Sequence, residues 1–281
     1  GCMRQINSRK ITEAVVKLCQ DANCDLAHDV TQAYQAAMDS EESPTGKEVM
    51  RQIIENAEIA HSERVPSCQD TGVAVFFVEI GQDVQVTGGS LRTAIEDGVR
   101  QGYLEGYLRK SMCDPFTRKN TTTNLPAVIH FDIIPGENFR IAIAPKGGGS
   151  ENMSTVCMMK PSDGRDGVIR QIVDWVKKSG SNPCPPIVVG VGIGGNFETC
   201  AILAKKSLLR PIGQRHADPE IAHLEIEILS KINDLGIGPM GLGGRNTALD
   251  VHIEYMPCHI ASLPIGINIQ CHACRHKETV L

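Results

Sequence analysis

A cysteine, an amide and a carboxylate stand side by side at Cys68, Gln69 and Asp70, directly before the apolar run 73–80. The run is rich in β-branched and aromatic residues, which indicates a buried strand. A thiolate at the mouth of a strand can bind a metal centre, and a carboxylate two residues along the chain can move a proton beside it. The segment therefore predicts metal-assisted acid–base chemistry.

Two further cysteines stand in comparable surroundings. Cys184 lies between prolines, and Cys271 directly follows the apolar run 265–270. Loops at the ends of strands are where protein sites are usually assembled. Together with Cys68, these cysteines predict a metal or iron–sulfur site built from distant parts of the chain.

The remaining cysteines have simpler explanations. The chain has 11 cysteines, an odd number that cannot all pair internally. Cys19 and Cys200 fall within helical patterns and are expected to be small buried hydrophobic residues. The N-terminus lacks the charged-then-apolar pattern of a secretory signal, so we expect thiols rather than disulfides and a cytoplasmic location. Gly1 and Cys2 are assigned no role.

Composition and charge argue against several classes of partner. The 281 residues carry a formal net charge of −5 and contain no basic run, so nucleic-acid binding is not expected. No apolar stretch approaches the roughly 20 residues that span a bilayer, so no membrane association is expected.

The order of apolar patterns predicts an α+β (mixed α/β) fold in a single catalytic domain, residues 1–281. The region from about 8 to 65 has helical spacing of its apolar residues, and later helices are expected near 90–110, 166–178 and 218–235. Strands are expected at 73–80, 127–134, 139–144, 186–192, 250–256 and 265–270. The turn at 135–138 predicts that the second and third strands form a hairpin.

Two glycine-rich segments allow more than one interpretation. The segment 190–195 follows a strand and opens a helix, but its spacing is not G-x-G-x-x-G, so a tight turn that packs a helix on a strand is preferred over dinucleotide binding. The segment 146–152 could bind a carboxylate through exposed backbone N–H groups, and a flexible turn is the alternative.

Cys271 and Cys274 form a C-x-x-C pair. A redox pair would stand at the start of a helix, and a zinc site would need a second pair, so Cys271 alone as a ligand is the preferred interpretation. A non-catalytic zinc or redox binding module is the alternative of another class. His259 lies in a loop twelve residues before Cys271 and is a candidate for the same site.

Five segments of the chain occur in an order that resembles the class I, iron–sulfur-dependent fumarate hydratases. They are similar to the α subunit of the two-subunit type, whose nearest relative is the L-tartrate dehydratase α subunit. The segments are Ser-Cys-Gln-Asp-Thr-Gly at 67–72, Lys-Gly-Gly-Gly-Ser-Glu-Asn at 146–152, Cys-Pro-Pro at 184–186, Arg-Pro-Ile-Gly-Gln-Arg-His at 210–216 and the terminus around Cys271. The resemblance runs from about residue 10 to the end of the chain.

The resemblance implies a [4Fe–4S] cluster held by three cysteines, with one iron left open as a Lewis acid for the substrate hydroxyl. Carried over by motif, the ligands are Cys68, Cys184 and Cys271. The catalytic residues implied are Asp70 for proton transfer, Gln69 for orienting water or substrate, and His259.

The resemblance also implies a small dicarboxylate substrate. Arg109 corresponds to a carboxylate-clamping arginine, and Gly148 and Gly149 would donate backbone N–H groups to a carboxylate. Interconversion of (S)-malate and fumarate is the expected reaction, because the run 147–152 resembles the fumarase branch. L-tartrate is the closest rival substrate, and a methylated diacid is a further one.

A second chain is implied as well. Single-chain relatives have a C-terminal domain with further basic residues and a threonine base, which this chain lacks after Cys271. The resemblance therefore implies a β subunit that completes the site, an α₂β₂ assembly, and little or no activity for the chain alone.

Overall fold

The computed structural model describes residues 3–281, so Gly1 and Cys2 lie outside the described residues. The chain divides into two compact units. The first unit contains residues up to 27, then 57–148 and 275–281, and the second contains 28–56 and 149–274. Both units combine helices with a mixed sheet, which confirms the predicted α+β class.

The described residues form eight α-helices and ten strands. The helices are α1 Ser8–Cys24, α2 His28–Ser40, α3 Pro44–Glu63, α4 Leu91–Glu105, α5 Gly148–Glu151, α6 Gly164–Ser179, α7 Phe197–Ser207 and α8 Pro219–Asn233. The strands are β1 Arg4–Asn7, β2 Val73–Gly81, β3 Val84–Thr87, β4 Val128–Ile134, β5 Phe139–Lys146, β6 Thr155–Met159, β7 Ile187–Gly195, β8 Ala248–Cys258, β9 Leu263–Gln270 and β10 Lys277–Val280. Across residues 3–281, no helix has both the length and the apolar character of a membrane-spanning segment.

The first unit is built on a four-stranded sheet in the order β10-β5-β2-β4, beside a small parallel pair, β1 and β3. Helices α1 and α4 pack together over the sheet, and their apolar stripes form one core with β2 and β5. Gly98 makes the close helix contact possible, since a Cβ there would lie 2.5 Å from the Cβ of Val15. The sequence patterns gave no indication of β1, β3 or β10, which are only four residues long each.

The predicted hairpin of β4 and β5 is wrong. Strand β2 lies between them, parallel to β4 and antiparallel to β5. The turn at 135–138 crosses the end of β2, where Gly81 donates its N–H to the carbonyl of Asn138 at 2.7 Å. A Cβ on Gly81 would lie 2.3 Å from the carbonyl oxygen of Gly136, so this glycine permits the crossing. The buried apolar centre of β2 explains its central place in the sheet.

The second unit is built on a sheet in the order β6-β9-β7-β8, with β7 parallel to β8 and antiparallel to β9. Helices α6 and α8 contribute to the core with the isoleucines and valines of the sheet. The α8 N-terminus is capped as the sequence predicts, because the Asp218 side chain accepts the N–H of Glu220 and Pro219 is the first helical residue.

Glycines of β7 let α7 approach the sheet closely. A Cβ on Gly190 would lie 2.3 Å from the carbonyl oxygen of Ala204, and one on Gly192 would lie 2.1 Å from that of Cys200. No side chain larger than hydrogen fits at either place. The glycine-rich segment at 190–195 therefore packs a helix on a strand, as the preferred interpretation of its spacing predicts.

Candidate active site

The segment from Cys68 to Gly72 forms a compact loop at the start of β2 in the first unit. The N–H of Asp70 donates to the Cys68 Sγ at 3.4 Å, and the N–H of Gly72 donates to Asp70 Oδ1 at 3.0 Å. The other carboxylate oxygen, Oδ2, accepts the N–H of Gly148 at 2.8 Å. Both oxygens of Asp70 are thus oriented by backbone donors, and each keeps a second lone pair for another partner.

The loop needs glycine on both sides of the Asp70 carboxylate. Gly72 has φ +76, and a Cβ there would lie 2.6 Å from the backbone nitrogen of Lys146, the last residue of β5. Gly147 passes so close to Asp70 that a Cβ would lie 3.1 Å from Oδ2. The two predicted segments, 67–72 and the start of 146–152, are therefore in contact within one unit.

A buried arginine donates hydrogen bonds that hold the loop in place. Arg275 is 3% exposed, and its Nη1 donates to the Asp70 carbonyl oxygen and, at 3.2 Å, to Asn23 Oδ1. Its Nη2 lies 3.4 Å from where a Cβ of Gly147 would stand, and its buried Nε has no hydrogen-bond partner in the described structure. Sequence reasoning missed Arg275, because nothing local in the sequence marks its contact with a loop 205 residues away.

Two further side chains hold the loop backbone. The Tyr103 hydroxyl donates to the Thr71 carbonyl at 2.7 Å, and Asn124 Nδ2 donates to the Gly72 carbonyl at 3.1 Å. Burial raises the pKa of Tyr103, so its hydroxyl stays a donor. Because the consecutive carbonyl oxygens of residues 70, 71 and 72 all accept hydrogen bonds, the backbone that carries Cys68 and Asp70 is held in place.

Gln69 and Arg109 lie at the exposed side of the same loop. Gln69 is exposed between two partly exposed neighbours. The carbonyl oxygen of Arg109 accepts the Thr71 hydroxyl at 2.7 Å, while the Arg109 residue itself is exposed. The structure thus brings Cys68, Gln69, Asp70 and Arg109 into one region of the first unit.

The predicted carboxylate donors, Gly148 and Gly149, differ from each other. The Gly148 N–H is already hydrogen-bonded to Asp70. Gly149 is the second residue of α5 and belongs to the second unit, where a Cβ would lie 3.6 Å from the carbonyl oxygen of Asn182. Gly148 therefore serves to orient Asp70 in this structure.

In the second unit the loops of Cys184 and Cys271 are joined to each other. Cys184 precedes β7 and has φ +57, and Cys271 directly follows β9. Since β7 and β9 are antiparallel neighbours that pair Val188 with Gln270, both cysteines lie at the same end of the sheet. The backbone N–H of His272 donates to the Cys184 carbonyl at 3.2 Å, and His272 Nδ1 lies 2.9 Å from the same oxygen.

His259 lies at the opposite end of that sheet. It follows β8, whose last residue, Cys258, pairs with Gly195 at the far end of β7. The nine residues of β7 correspond to a separation of about 26 Å between the two ends. His259 is exposed at the rim of an apolar groove of about 480 Å³, so within the second unit it is not brought to Cys184 or Cys271.

The chemistry of the thiols is consistent with cluster ligation. Cys68, Cys184 and Cys271 are all partly exposed and none is in a disulfide, whereas Cys19 and Cys200 are buried. Burial raises the pKa of the Cys19 and Cys200 thiols, which makes them poor ligands. Among the residues that the structure describes, no group of three or more His, Cys, Asp or Glu side chains is arranged to hold a single metal ion. An iron–sulfur cluster does not need such an arrangement, since its thiolates bind separate irons.

Comparison with known proteins identifies the family to which the chain belongs. Residues 12–280 match the family described as "Fumarate hydratase (Fumerase)". The chain belongs to this family. As a member it is a hydro-lyase, so the alternative of a non-catalytic zinc or redox binding module is wrong.

Two curated relatives align with this member of the fumarate hydratase family over most of their length. A protein of Methanocaldococcus jannaschii, provisionally named L(+)-tartrate dehydratase subunit alpha, is 47% identical over 272 residues, covering 95% of each chain. The L(+)-tartrate dehydratase subunit alpha of Escherichia coli (strain K12) is 33% identical over 271 residues, covering 95% of this chain and 89% of its own.

Proposed function

We propose that this hydro-lyase is the α subunit of a [4Fe–4S] enzyme that interconverts (S)-malate and fumarate. The observation that carries the proposal is the Asp70 carboxylate, held by two backbone N–H groups in the same loop as the Cys68 thiol. Dehydration of L-tartrate is the second candidate reaction, because both relatives described above carry that name.

The proposed cluster ligands are Cys68, Cys184 and Cys271. When bound, the cluster would supply an open iron that polarises the substrate hydroxyl as a Lewis acid. The partial exposure of the three thiols and the hydrogen bond that the backbone N–H of Asp70 donates to Cys68 Sγ support this assignment. Hydrogen bonds to the sulfurs are among the features by which proteins tune such clusters.

Asp70 is the proposed acid–base residue. Its oxygens are fixed by the N–H groups of Gly72 and Gly148, and each has a lone pair left for a proton at the substrate carbon. Because the carboxylate is oriented before substrate arrives, little reorganisation is needed at the moment of proton transfer.

Three neighbouring groups are proposed to bind the rest of the substrate. Gln69 is exposed and would orient water or substrate, and the Arg109 guanidinium would clamp a carboxylate through two parallel hydrogen bonds. Gly149 is the proposed backbone donor to a carboxylate. Gly148 could take that role only by giving up its bond to Asp70.

Completion of the site by other subunits is part of the proposal. His259 lies at the other end of the sheet from Cys184 and Cys271. Its proposed catalytic role therefore requires that it contribute to the site of another subunit rather than to the one at these two cysteines. A β subunit is the proposed source of the missing basic residues, since the relatives are named as alpha subunits.

The experiment is anaerobic reconstitution of the full chain with iron and sulfide, followed by addition of its β subunit. The proposal predicts about four irons per chain with broad visible absorption, and turnover of (S)-malate in excess of L-tartrate and mesaconate. Exclusive turnover of L-tartrate would replace the fumarase assignment with the second candidate. A protein that binds no cluster under these conditions would refute both.

A further inference from the structure

Asn124 is a fully buried residue at the end of an exposed segment of the first unit. Thr121 and Thr122, a few residues before it, are both exposed. The backbone of Asn124 has φ +60, in the left-handed region that asparagine tolerates better than most residues. Buried polar side chains are almost always hydrogen-bonded, and here both ends of the side-chain amide have a partner.

The two ends of this amide join two separate segments of the chain. Nδ2 donates to the carbonyl of Gly72 at 3.1 Å, and Oδ1 accepts the backbone N–H of Ser111 at 2.8 Å. Gly72 belongs to the loop that carries Cys68 and Asp70, and Ser111 is the second residue after Arg109. The two partners fix which way the amide points, because its nitrogen can only donate and its oxygen can only accept.

A second bridge joins the same two segments. The Thr71 hydroxyl donates to the carbonyl of Arg109 at 2.7 Å, and Thr71 is buried. The backbone around Arg109 is thus tied to two consecutive residues of the loop. The N–H of Gly72 also orients Asp70 Oδ1, at 3.0 Å. A short run of hydrogen bonds therefore connects the Asp70 carboxylate to the backbone that carries the guanidinium.

The chain between Ser111 and the buried asparagine forms a hairpin of its own. Cys113 and Asn120 make an antiparallel bridge, and residues 114–122 are exposed. The bond between the amide oxygen and Ser111 closes the base of this hairpin. The bond from the amide nitrogen is not needed for that purpose, and it ends on the loop that holds Asp70. Closure of the hairpin therefore accounts for only half of the contacts of this side chain.

We propose that Asn124 is a positioning residue that fixes Arg109 relative to Asp70. The inference rests on the proposed function, in which Asp70 exchanges a proton with the substrate and Arg109 binds one of its carboxylates. Both groups must reach one small diacid at the same time, and a displacement of about 1 Å can cost about 10²-fold in rate. The Arg109 residue is exposed, so the protein holds it in place through its backbone.

Asn124→Gly removes both bonds without straining the backbone, because glycine adopts φ +60 readily. In the reconstituted complex with the β subunit, we expect the dissociation constant of succinate, a diacid without a hydroxyl group, to rise about 10–100-fold. Thr122→Gly is the matched control, since Thr122 has φ +66 in the same hairpin and bonds to Asn120 through its backbone N–H. The control should change the affinity less than about twofold.

A double-mutant cycle separates the positioning of Arg109 from a general structural role. Arg109→Lys keeps the charge but loses the planar fork, so a fixed position is worth less in this variant. In that background Asn124→Gly should weaken succinate binding less than about threefold, whereas independent effects would multiply. Thr71→Val removes the other bridge and leaves Asn124 in place. It should raise the dissociation constant about 3–10-fold, with the same dependence on Arg109.

Circular dichroism, the urea midpoint and the iron content show whether each variant is folded and loaded. If Asn124→Gly does not fold, Thr71→Val decides by the same criteria. Unchanged succinate affinity, equal losses in the wild-type and Arg109→Lys backgrounds, or an equal loss in Thr122→Gly would overturn the inference, as would a wild-type complex that binds no succinate.

Turnover of (S)-malate and L-tartrate, measured on the same samples, keeps the two proposals apart. A wild-type complex that turns over neither acid would refute the proposed function. The succinate cycle would still test whether Asn124 acts through Arg109, because binding of succinate requires no turnover.

Discussion

Two aspartates, one in each unit, are held in different ways. Asp70 of the first unit accepts backbone N–H groups on both oxygens and remains partly exposed. Asp250 of the second unit also accepts a glycine N–H, from Gly213 at 2.7 Å, but it is 1% exposed. Asp250 pairs with Arg215 and His252, whereas the described structure gives Asp70 no ion-pair partner.

The surroundings of Asp250 are those of a structural carboxylate. Burial by itself would raise the pKa of Asp250, but the hydrogen bond and charge of His252, the Gly213 N–H and the charge of Arg215 together hold it below its usual range. His252 is itself fully buried, and its other ring nitrogen lies 3.1 Å from the Ser207 carbonyl. The group ties the segment after α7 to strand β8.

A carboxylate can be held in place and still be open to a substrate, and the two aspartates differ in this respect. Asp250 is buried and its carboxylate is paired with Arg215 and His252, so it stabilises the fold and is not accessible to a substrate. Neutral backbone donors orient Asp70 without covering it, which leaves a carboxylate beside a thiol and open to a ligand.

Cys68→Ser should abolish the cluster and all turnover, because a ligand thiolate is lost from the loop that carries Asp70. Cys258→Ser is the control, since this exposed cysteine at the end of β8 is not a proposed ligand. Iron content and visible absorption after anaerobic reconstitution measure the effect. A full cluster in Cys68→Ser would refute the ligand assignment.

Asp250→Asn should lower the free energy of unfolding by about 3–5 kcal/mol, because it leaves the buried His252 and the half-buried Arg215 without this carboxylate. Urea denaturation measures the loss. The fraction that remains folded should keep its cluster. A variant as stable as the wild type would show that the ionic group does not support the second unit.

Arg275→Met should loosen the Cys68–Gly72 loop, since it removes the donor to the Asp70 carbonyl. We expect a loss of about 1–3 kcal/mol in stability and faster alkylation of Cys68 in the cluster-free chain. Arg215→Met is the matched control, which should lower stability without changing alkylation of Cys68. Equal alkylation rates in both variants would contradict a positioning role for Arg275.

The stability of the wild type should fall more steeply in acid than that of Asp250→Asn. Because the pKa of Asp250 is lower in the folded state, its contribution is complete above the ordinary value of 3.8 and is lost as the pH falls through the lower folded value. Unfolding curves below about pH 4 measure the difference. Parallel pH dependence of the two proteins would exclude this contribution.

Local patterns predicted much of the fold. The long apolar strands β2, β7 and β9 and the capped start of α8 at Asp218 lie where the sequence places them, since short-range spacing and capping determine such elements. Pairing order was not predictable in the same way. The turn at 135–138 is typical of a hairpin, yet it crosses over β2, because the sheet must bury its most apolar strand.

The candidate site was predictable only where its residues are adjacent in the sequence. Cys68, Gln69 and Asp70 could be found because they are consecutive and precede a strand. Arg275 and Tyr103 could not, because their contacts with this loop are long-range and neither lies in a motif. His259 is only twelve residues before Cys271 in the sequence, but this spacing did not predict their separation. The direction of the strands places the two residues at opposite ends of the sheet.

Turnover per bound iron, measured for Asp70→Asn and Asp250→Asn in the reconstituted complex, tests directly whether Asp70 is the acid–base residue. We predict a normal cluster in both variants, a fall of about 10²–10⁴-fold in turnover for Asp70→Asn, and near-normal turnover per iron for folded Asp250→Asn. Near-normal turnover in Asp70→Asn would show that this carboxylate takes no part in the mechanism.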